Sequence, residues 1–539
     1  MKKAVDLLED ISRLMKLKGE NPFKVRAYER AIQSISGRED LDERARAGTL
    51  TQIEGIGKGI EQVLTEFLLE GGSSAREALI REFPEGFLEL SQIPGLGPKK
   101  TLLLIQELGI QSVAELEYAC RENRLLNLKG FGEKTQKKIL EGIEFYQAHQ
   151  GQRRLPDAEA DASVLLEAFH QAFPETQIEA TGALRRRSEI LGELEFLVEA
   201  DSDPVVSRLE AWRVEFLAEL PSFLPTQFYY TVKRKWGYEQ ARRTGTPAHW
   251  QALGSPAEVS VETETEFFKL QGLPVIPVEA RETGEEVQWA RMGGLAQLLP
   301  LKGIRGIFHN HTTRSDGSAT LEAMVQACHG LGFEYIGISD HSRSAFYAQG
   351  LHLDALGEQE AEVRELQKKY PDVRIFWGIE SDILADGSLD YDEEVLRRFD
   401  FVIASVHSRF GMDQAAMTER ILKAIRNPFT RFLGHPTGRL LLGRKGYALD
   451  MEKIIQEAAK HQVAVELNAH PSRLDLDWRW GPQMRRYGTM TSINPDAHEI
   501  AGLDDVEYGI AMARKALLPV HQVLNSRSAV EVERWLRRQ

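Results

Sequence analysis

The chain has 539 residues, a formal net charge of −14, 42% apolar residues and 27% charged residues. That length exceeds what one core supports, so three or four domains are expected, and the composition is globular rather than disordered or fibrous. Two cysteines, Cys120 and Cys328, exclude a disulfide scaffold and a cysteine-built zinc site and fit a reducing cytoplasm. No apolar run reaches the roughly 18 residues of a membrane span, and the charged, amphipathic N-terminus is not a signal peptide.

The charge is unevenly spread. Residues 151–300 hold 15 Lys and Arg against 24 Asp and Glu, whereas residues 1–150 hold 22 against 24 and residues 301–539 hold 30 against 33. Eleven of the 14 histidines lie from His309 onward.

The first 150 residues read as short helices. Apolar residues recur at helical spacing through Val5, Leu8, Ile11 and Met15, and again through Tyr28, Ile32 and Ile35. Three similar turns follow: Gly55-Ile56-Gly57-Lys58, Gly95-Leu96-Gly97-Pro98-Lys99 and Gly130-Phe131-Gly132-Glu133-Lys134. Each precedes a helix-like run. Glycine permits the tight turn, and the free N–H groups of the next helix can cradle a phosphate oxygen. This is the helix-hairpin-helix pattern, which grips a DNA backbone without reading bases. Helix capping explains one such turn equally well but not three, so Gly55, Gly57, Lys58, Gly95, Gly97, Lys99, Gly130 and Gly132 are the expected DNA contacts.

Residues 232–243 form a basic run interleaved with aromatics: Lys233, Arg234 and Lys235, then Trp236, Tyr238, Arg242 and Arg243. Inside an acidic region, the run is expected to track a DNA backbone and stack a base rather than to be a solvated helix face.

The last 239 residues alternate apolar strands with helical stretches at 318–331, 355–369, 414–426 and 451–461, the pattern of a parallel sheet. The strands end in polar groups: His309 and His311, Asp340 and His341, Glu380, His407, His435, Glu466 and Asn468, then Asp496 and His498. In a strand, His309 and His311 share a face and can reach one metal ion. Polar groups at successive strand ends are where a β/α barrel builds its active site. Any one of these histidines alone reads as a satisfied polar residue. Six of them together call for metal.

These strand ends resemble the PHP (polymerase and histidinol phosphatase) family over about residues 300–539. The resemblance implies a distorted (β/α)7 barrel holding three divalent ions, Mn or Zn. Carried over, it places one ion on His309, His311, Glu380 and Asp496, a second on Glu380, His407 and His435, and a third on Asp316, His341 and His498. Closely spaced ions lower the pKa of water, which then attacks phosphorus. Arg439 is expected to neutralise a phosphate.

The order of the modules resembles the bacterial family X DNA polymerases along nearly the whole chain. It implies helical helix-hairpin-helix domains at 1–80 and 81–152, an α+β nucleotidyltransferase-like palm and thumb at 153–299, and the PHP barrel at 300–539. Asn21-Pro22-Phe23-Lys24-Val25-Arg26-Ala27-Tyr28 resembles the family's 5′-phosphate pocket, with Lys24 and Tyr28 at the contacting positions. The middle domain departs from the family. Where members have Gly-Ser, Arg-Arg-Gly and Gly-Asp-x-Asp, this chain has Gly182-Ala183, Arg185-Arg186-Arg187 and Gly192-Glu193-Leu194-Glu195. No strand carries the third catalytic Asp. Each Glu displaces its carboxylate by about 1 Å, which can cost on the order of 100-fold in rate, so nucleotide addition is expected to be weak or lost. Whether Glu193 and Glu195 hold a Mg²⁺ stays open.

The resemblance and these departures together imply a DNA-repair protein. Its PHP domain would act as a 3′-5′ exonuclease or 3′-end phosphoesterase on gapped, nicked or 3′-ended DNA. It would work as a cytoplasmic, nucleoid-associated bacterial monomer with no membrane partner. Two alternatives remain: an active gap-filling family X polymerase, and a non-catalytic DNA-end-binding protein. A small-molecule phosphatase would have no use for three DNA-gripping hairpins.

Overall fold

The computed structural model describes residues 2–36, 38, 40–121, 124–220 and 223–537. The chain divides into two compact units, Met1–Gln150 and Gly151–Gln539.

The first unit is helical. Helices Lys2–Lys18, Pro22–Ile35 and Lys58–Glu70 close around Leu8, Ile11, Ile35 and Leu64. Helix Pro22–Ile35 starts where the sequence dictates: Pro22 has no N–H to leave unpaired, and the Asn21 side chain accepts from the Phe23 N–H at 2.9 Å. A second core of Leu90, Leu104, Leu116, Ile139 and Ile143 gathers helices Pro98–Leu108, Val113–Arg121 and Glu133–His149. The three hairpins share one geometry. Gly55, Gly95 and Gly130 have φ of +85°, +85° and +92°, the left-handed region that strains any side chain. Gly57, Gly97 and Gly132 stand at the N-caps of the helices that follow and offer no capping side chain, so the first-turn N–H groups are left for water or a phosphate.

In the second unit, β1 (Arg153–Arg154) pairs antiparallel with β3 (Ile190–Leu191). Next to this ribbon, β4 (Leu194–Glu199) lies between β2 (Ile178–Ala180), antiparallel, and β5 (Thr226–Thr231), parallel. Helix Leu155–Ala172 packs on this sheet through Leu165 and Phe169, against Phe196, Phe228 and the Trp212 ring. Residues 236–298 form a small helical body around Tyr238, Phe267, Phe268 and Ile276, which also takes in Leu517 of the barrel.

The barrel is built from β6 (Gly306–Ile307), β7 (Tyr335–Ile338), β8 (Arg374–Asp382), β9 (Phe401–Ser405), β10 (Thr430–Leu433), β11 (Ala464–Asn468) and β12 (Thr491–Asn494). All neighbours are parallel and in sequence order, and a bridge between Asn310 and Ala497 brings the first and last strands together. The expected helices are present as Leu321–Gly330, Leu353–Lys369, Gln414–Ile425 and Met451–His461. With helices outside and side chains inside, the strands are buried on both faces and read as apolar runs without alternation. Phe308, Tyr335, Phe376, Phe401 and Phe432 fill one end of the interior, backed by Trp535 of helix Ala529–Leu536. Gly337 and Gly378 make the space: a β-carbon there would lie 2.3 Å from the Phe308 ring and 2.4 Å from the Phe401 ring. The polar strand ends therefore collect at the opposite end.

Candidate metal centre and its surroundings

All nine residues expected as ligands gather at the C-terminal ends of the barrel strands. Glu380, inside β8, is the hub. Its carboxylate lies 3.2 Å from His309 Nε2, 3.0 Å from His435 Nε2, 3.2 Å from His407 Nε2 and 2.9 Å from His341 Nδ1. His311 Nε2 lies 3.2 Å from Asp496 Oδ1. Asp316 lies 3.6 Å from His341 and 3.5 Å from His498. Among the described residues, four groups of side chains have ligand atoms close enough to surround an ion: His311, Asp316, His341 and His498; His309, Glu380 and His435; His309, His311 and Asp496; and His341, Glu380 and His407. His309, His311 and His341 each belong to two groups, so the sets interlock more than three separate ligand lists suggest.

The alternation expected for His309 and His311 is not how they meet. The strand β6 ends at Ile307, and His309 has φ of +57°. The chain turns there, and the two rings end with centroids 5.3 Å apart. His435 and Asp496 are also left-handed, at +22° and +53°. Three of the nine residues thus hold a backbone that costs about 1–3 kcal/mol each and persists only where the surroundings fix it.

The surroundings suit metal. His309 Nδ1 sits 2.7 Å from Glu466, and His407 Nδ1 sits 2.6 Å from Asp382. A carboxylate on one ring nitrogen fixes the tautomer and turns the other nitrogen's lone pair outward, as metal-binding histidines require. The outward atoms, His309 Nε2 and Glu380 Oε2, are buried and make no hydrogen bond, as does His311 Nδ1. Imidazole and carboxylate donors suit Zn or Mn. Burial raises the Glu380 carboxyl pKa, but the imidazoles of His309, His407 and His341 outweigh it and hold the group well below the usual carboxylate range. Burial likewise works against the His407 cation, and Glu380 and Asp382 overcome it, raising the ring to about 10. His311, buried beside His498 and His341, is depressed to about 3.

Comparison with known proteins follows the same division. Residues 2–73 match the helix-hairpin-helix domain, residues 87–144 the SAM-like helix-hairpin-helix tandem, and residues 308–470 the PHP domain. The DNA polymerase/3′-5′ exonuclease PolX of Bacillus subtilis is 34% identical over 100% of this chain and 99% of its own length. The chain belongs to the bacterial family X polymerases that carry a PHP domain. A probable phosphatase of Acetivibrio thermocellus is 30% identical over 30% of this chain and 64% of its own length. One of Caldanaerobacter subterraneus is 24% identical over 42% and 89%.

The middle domain places the residues that differ from the family pattern as follows. Glu195 accepts a hydrogen bond from the Tyr229 hydroxyl at 3.1 Å and presses on Gly182, where a β-carbon would lie 1.7 Å from its Oε2. Glu193 is exposed. The residue of β5 opposite Glu195 is Gln227, which carries no charge. One helix, Asp203–Ala218, connects β4 to β5. Arg185, Arg186 and Arg187 are held by internal acids: Arg185 by Glu264 at 2.7 Å, Arg186 by Glu282 at 3.1 Å and Arg187 by Glu159 at 3.3 Å. Ala183 is half-buried on the adjoining turn.

Two further expectations are corrected. Arg439 does not face the cluster: its guanidinium donates to the Arg473 and Leu474 carbonyls and pairs with Asp477, bracing the loop after β11. In the basic run, Trp236 and Tyr238 are buried in the helical body, so neither is available to stack a base. Lys233 and Arg234 stay exposed, while Lys235 pairs with Glu258 at 2.5 Å. In the first unit, Lys24 is exposed and pairs with Glu20, and Tyr28 is half-buried on the same helix. Lys58 and Lys99 are exposed beside their hairpin glycines.

Asp340 and Glu466, expected only as polar strand ends, and Asp382, not expected at all, support the cluster. Glu466 holds His309, the His435 N–H and Asn494, and Asp382 holds His407. Asp340 accepts from Thr312, Ser315 and Gln359, fixing the loop that carries Asp316. Their signal was available: an acid inside an otherwise apolar buried strand must have a partner. Arg473, 3.4 Å from Asp496 Oδ2, is the arginine at the cluster, and only the loop's fold places it there.

Proposed function

We propose that the barrel is a metal-dependent phosphoesterase that removes 3′-terminal nucleotides or 3′ blocking groups from DNA, with His309, His311, Asp316, His341, Glu380, His407, His435, Asp496 and His498 as its metal ligands. The observation that carries this reading is the pair of carboxylate-anchored histidines, His309 and His407, whose free nitrogens converge on Glu380. These residues would hold divalent ions, Mn or Zn and three in number, which would supply acidified water and positive charge for the phosphorus oxygens. Glu466 and Asp382 orient the imidazoles, and Asp340 orients the loop bearing Asp316. Arg473 stands beside Asp496 with a guanidinium suited to a phosphate oxygen.

The same reading makes the middle domain a scaffold rather than a nucleotide-adding site. The lengthened carboxylates at Glu193 and Glu195, uncharged Gln227 opposite and arginines already paired all act against two Mg²⁺ ions and a triphosphate. The three hairpins grip gapped, nicked or 3′-ended DNA through backbone N–H groups and a few lysines. The protein acts as a monomer in the bacterial cytoplasm. Among the described residues, no helix is long and apolar enough to cross a membrane.

The test is release of the terminal nucleotide from 3′-labelled DNA in Mn²⁺ by the wild-type chain and by His309→Ala. Activity should fall to background in the variant. Unchanged activity would sink the assignment.

A further inference from the structure

The loop after β11 carries more than Arg473. His470, half-buried on it, accepts at Nδ1 from the Ser472 N–H at 3.2 Å, and the Ser472 hydroxyl lies 2.7 Å from the same nitrogen. A nitrogen that accepts from a backbone N–H holds no proton, so the proton of the neutral ring is on Nε2. Burial lowers the His470 pKa, and the Arg473 and Arg154 charges act in the same direction. The ring is therefore a neutral N–H donor at the edge of the cluster.

Arg154 does not belong to the barrel. It lies on β1 of the middle domain, opposite Ile190 of β3. The next residue along β1, Leu155, donates its N–H to the Glu189 carbonyl at 3.1 Å, and the Glu189 carboxylate pairs with Arg479 at 3.1 Å. Arg479 closes the same loop that bears His470 and Arg473. The β1–β3 ribbon is thus fastened to this loop, which brings Arg154 near enough for its charge to act on His470. Arg154 pairs with Asp157 at 3.3 Å, and its side chain remains two-fifths exposed.

We propose that Arg154, His470 and Arg473 form a phosphodiester-binding subsite across the junction of the middle domain and the barrel. It takes a backbone phosphate of a DNA strand next to the bond being cut. Two guanidinium groups, Arg154 beside Asp157 and Arg473 beside Asp496, and one neutral N–H donor supply directed donors with positive charge, the chemistry an ionised phosphodiester recognises. Arg473 sits beside Asp496 of the cluster and Arg154 stands on a separate element, β1, so a polymeric substrate can engage both, whereas a single small ester need engage only the cluster. This gives the altered polymerase domain a part in the barrel's substrate choice. The inference rests on the phosphoesterase reading, which it deepens.

The test uses the full Mn-loaded chain and Arg154→Gln. With a 3′-labelled single-stranded oligonucleotide, KM should rise about tenfold, the loss of one charge-assisted contact. With bis(p-nitrophenyl) phosphate, kcat and KM should stay unchanged. Arg154→Lys, which keeps the charge, should recover most of the oligonucleotide KM. Equal losses on both substrates would mark Arg154 as structural and overturn the subsite, as would no change on either. Calorimetric binding of trithymidylate separates the subsite from the chemistry. Its affinity should fall about tenfold in Arg154→Gln even if the wild type cleaves neither ester, which would defeat the phosphoesterase reading alone. Undetectable or unchanged affinity defeats the subsite.

Discussion

Lys515, on a barrel helix, buries its entire side chain against the carboxylate of Glu282 in the middle domain, and that carboxylate also holds Arg186 at 3.1 Å. The contact explains the uneven charge of the chain. Glu189, Glu279, Glu282 and Glu285 of the acidic middle domain meet Arg479, Arg514, Lys515 and Arg485 of the barrel. Much of the excess acid serves an internal junction, so it does not repel DNA from the surface. Arg186, in the run that departs from the family pattern, is part of that junction.

A buried pair of this kind is costly to break and cheap to replace. Removing one partner leaves an uncompensated charge worth about 3–5 kcal/mol, while replacing both with apolar groups is often neutral. Glu282→Gln should therefore lower the melting temperature sharply, and the double variant Glu282→Leu/Lys515→Met should recover the part of the loss due to Lys515, the remainder being Arg186 left without its carboxylate. Equal melting of the single variant and the wild type would show that the pair contributes nothing.

Glu264 makes a pH-dependent contribution. Burial raises its pKa, but the Arg185 hydrogen bond and the Arg281 charge outweigh burial and lower the group to about 2 from an ordinary 4.5. The folded pKa is depressed, so the stabilisation is present above pH 4.5 and fades as pH falls towards 2. At about 1.4 kcal/mol per pKa unit it amounts to roughly 3 kcal/mol at neutral pH. The melting gap between wild type and Glu264→Gln should be widest near pH 7 and narrow below pH 4.5. A gap that widens in acid would contradict this sign.

Metal uptake should release protons. Without an ion, Glu380 and Asp382 favour a proton on His407 up to about pH 10, and Asp316 and Asp496 favour one on His498 up to about pH 9. An ion must displace those protons, so Mn²⁺ affinity should rise steadily from pH 6 to pH 9. Calorimetry in buffers of different ionisation enthalpy reads the proton count directly. Glu466→Gln and Asp382→Asn, which touch histidines rather than the ion, should each weaken uptake by about 10–100-fold.

On the scaffold reading of the middle domain, nucleotide addition should stay at background when the family residues are placed at the positions that differ. In the triple variant Ala183→Ser/Glu193→Asp/Glu195→Asp, Gln227 still faces position 195 and Arg186 is still held by Glu282. Primer extension with Mg²⁺ or Mn²⁺ should stay at background. Robust extension would mean that the substitutions alone had silenced the site.

The barrel's order and its polar strand ends were legible because both obey short-range rules: apolar runs of strand length, helices between them, polar residues at the C-terminal ends. The tilt of His309 was not, because its left-handed backbone depends on closure between Asn310 and Ala497, a contact far along the chain. Arg439 and Arg473 show the same limit. Both are arginines in loops beside the cluster, and which one faces it is decided by carbonyls that only the folded loop presents. Trp236 and Tyr238 misled for a different reason. Aromatics between basic residues suit both a stacking surface and one face of a packed helix, and the core around Phe267 chose the second.

The hairpins should bind DNA with a shallow salt dependence. Each phosphate neutralised by a side chain adds about 0.9 to the slope of log affinity against log salt, whereas contacts from uncharged backbone N–H groups release few counterions. Lys58 and Lys99 are exposed beside Gly57 and Gly97, where a phosphate held by the helix N-terminus would lie. Lys58→Ala and Lys99→Ala should each weaken binding to gapped duplexes of unrelated sequence by the same factor and lower the slope by about 1. Filter-binding titrations from 50 to 300 mM salt read both quantities. A slope unchanged in the double variant would place the lysines away from the phosphates, and a loss confined to one sequence would mean that the hairpins read bases.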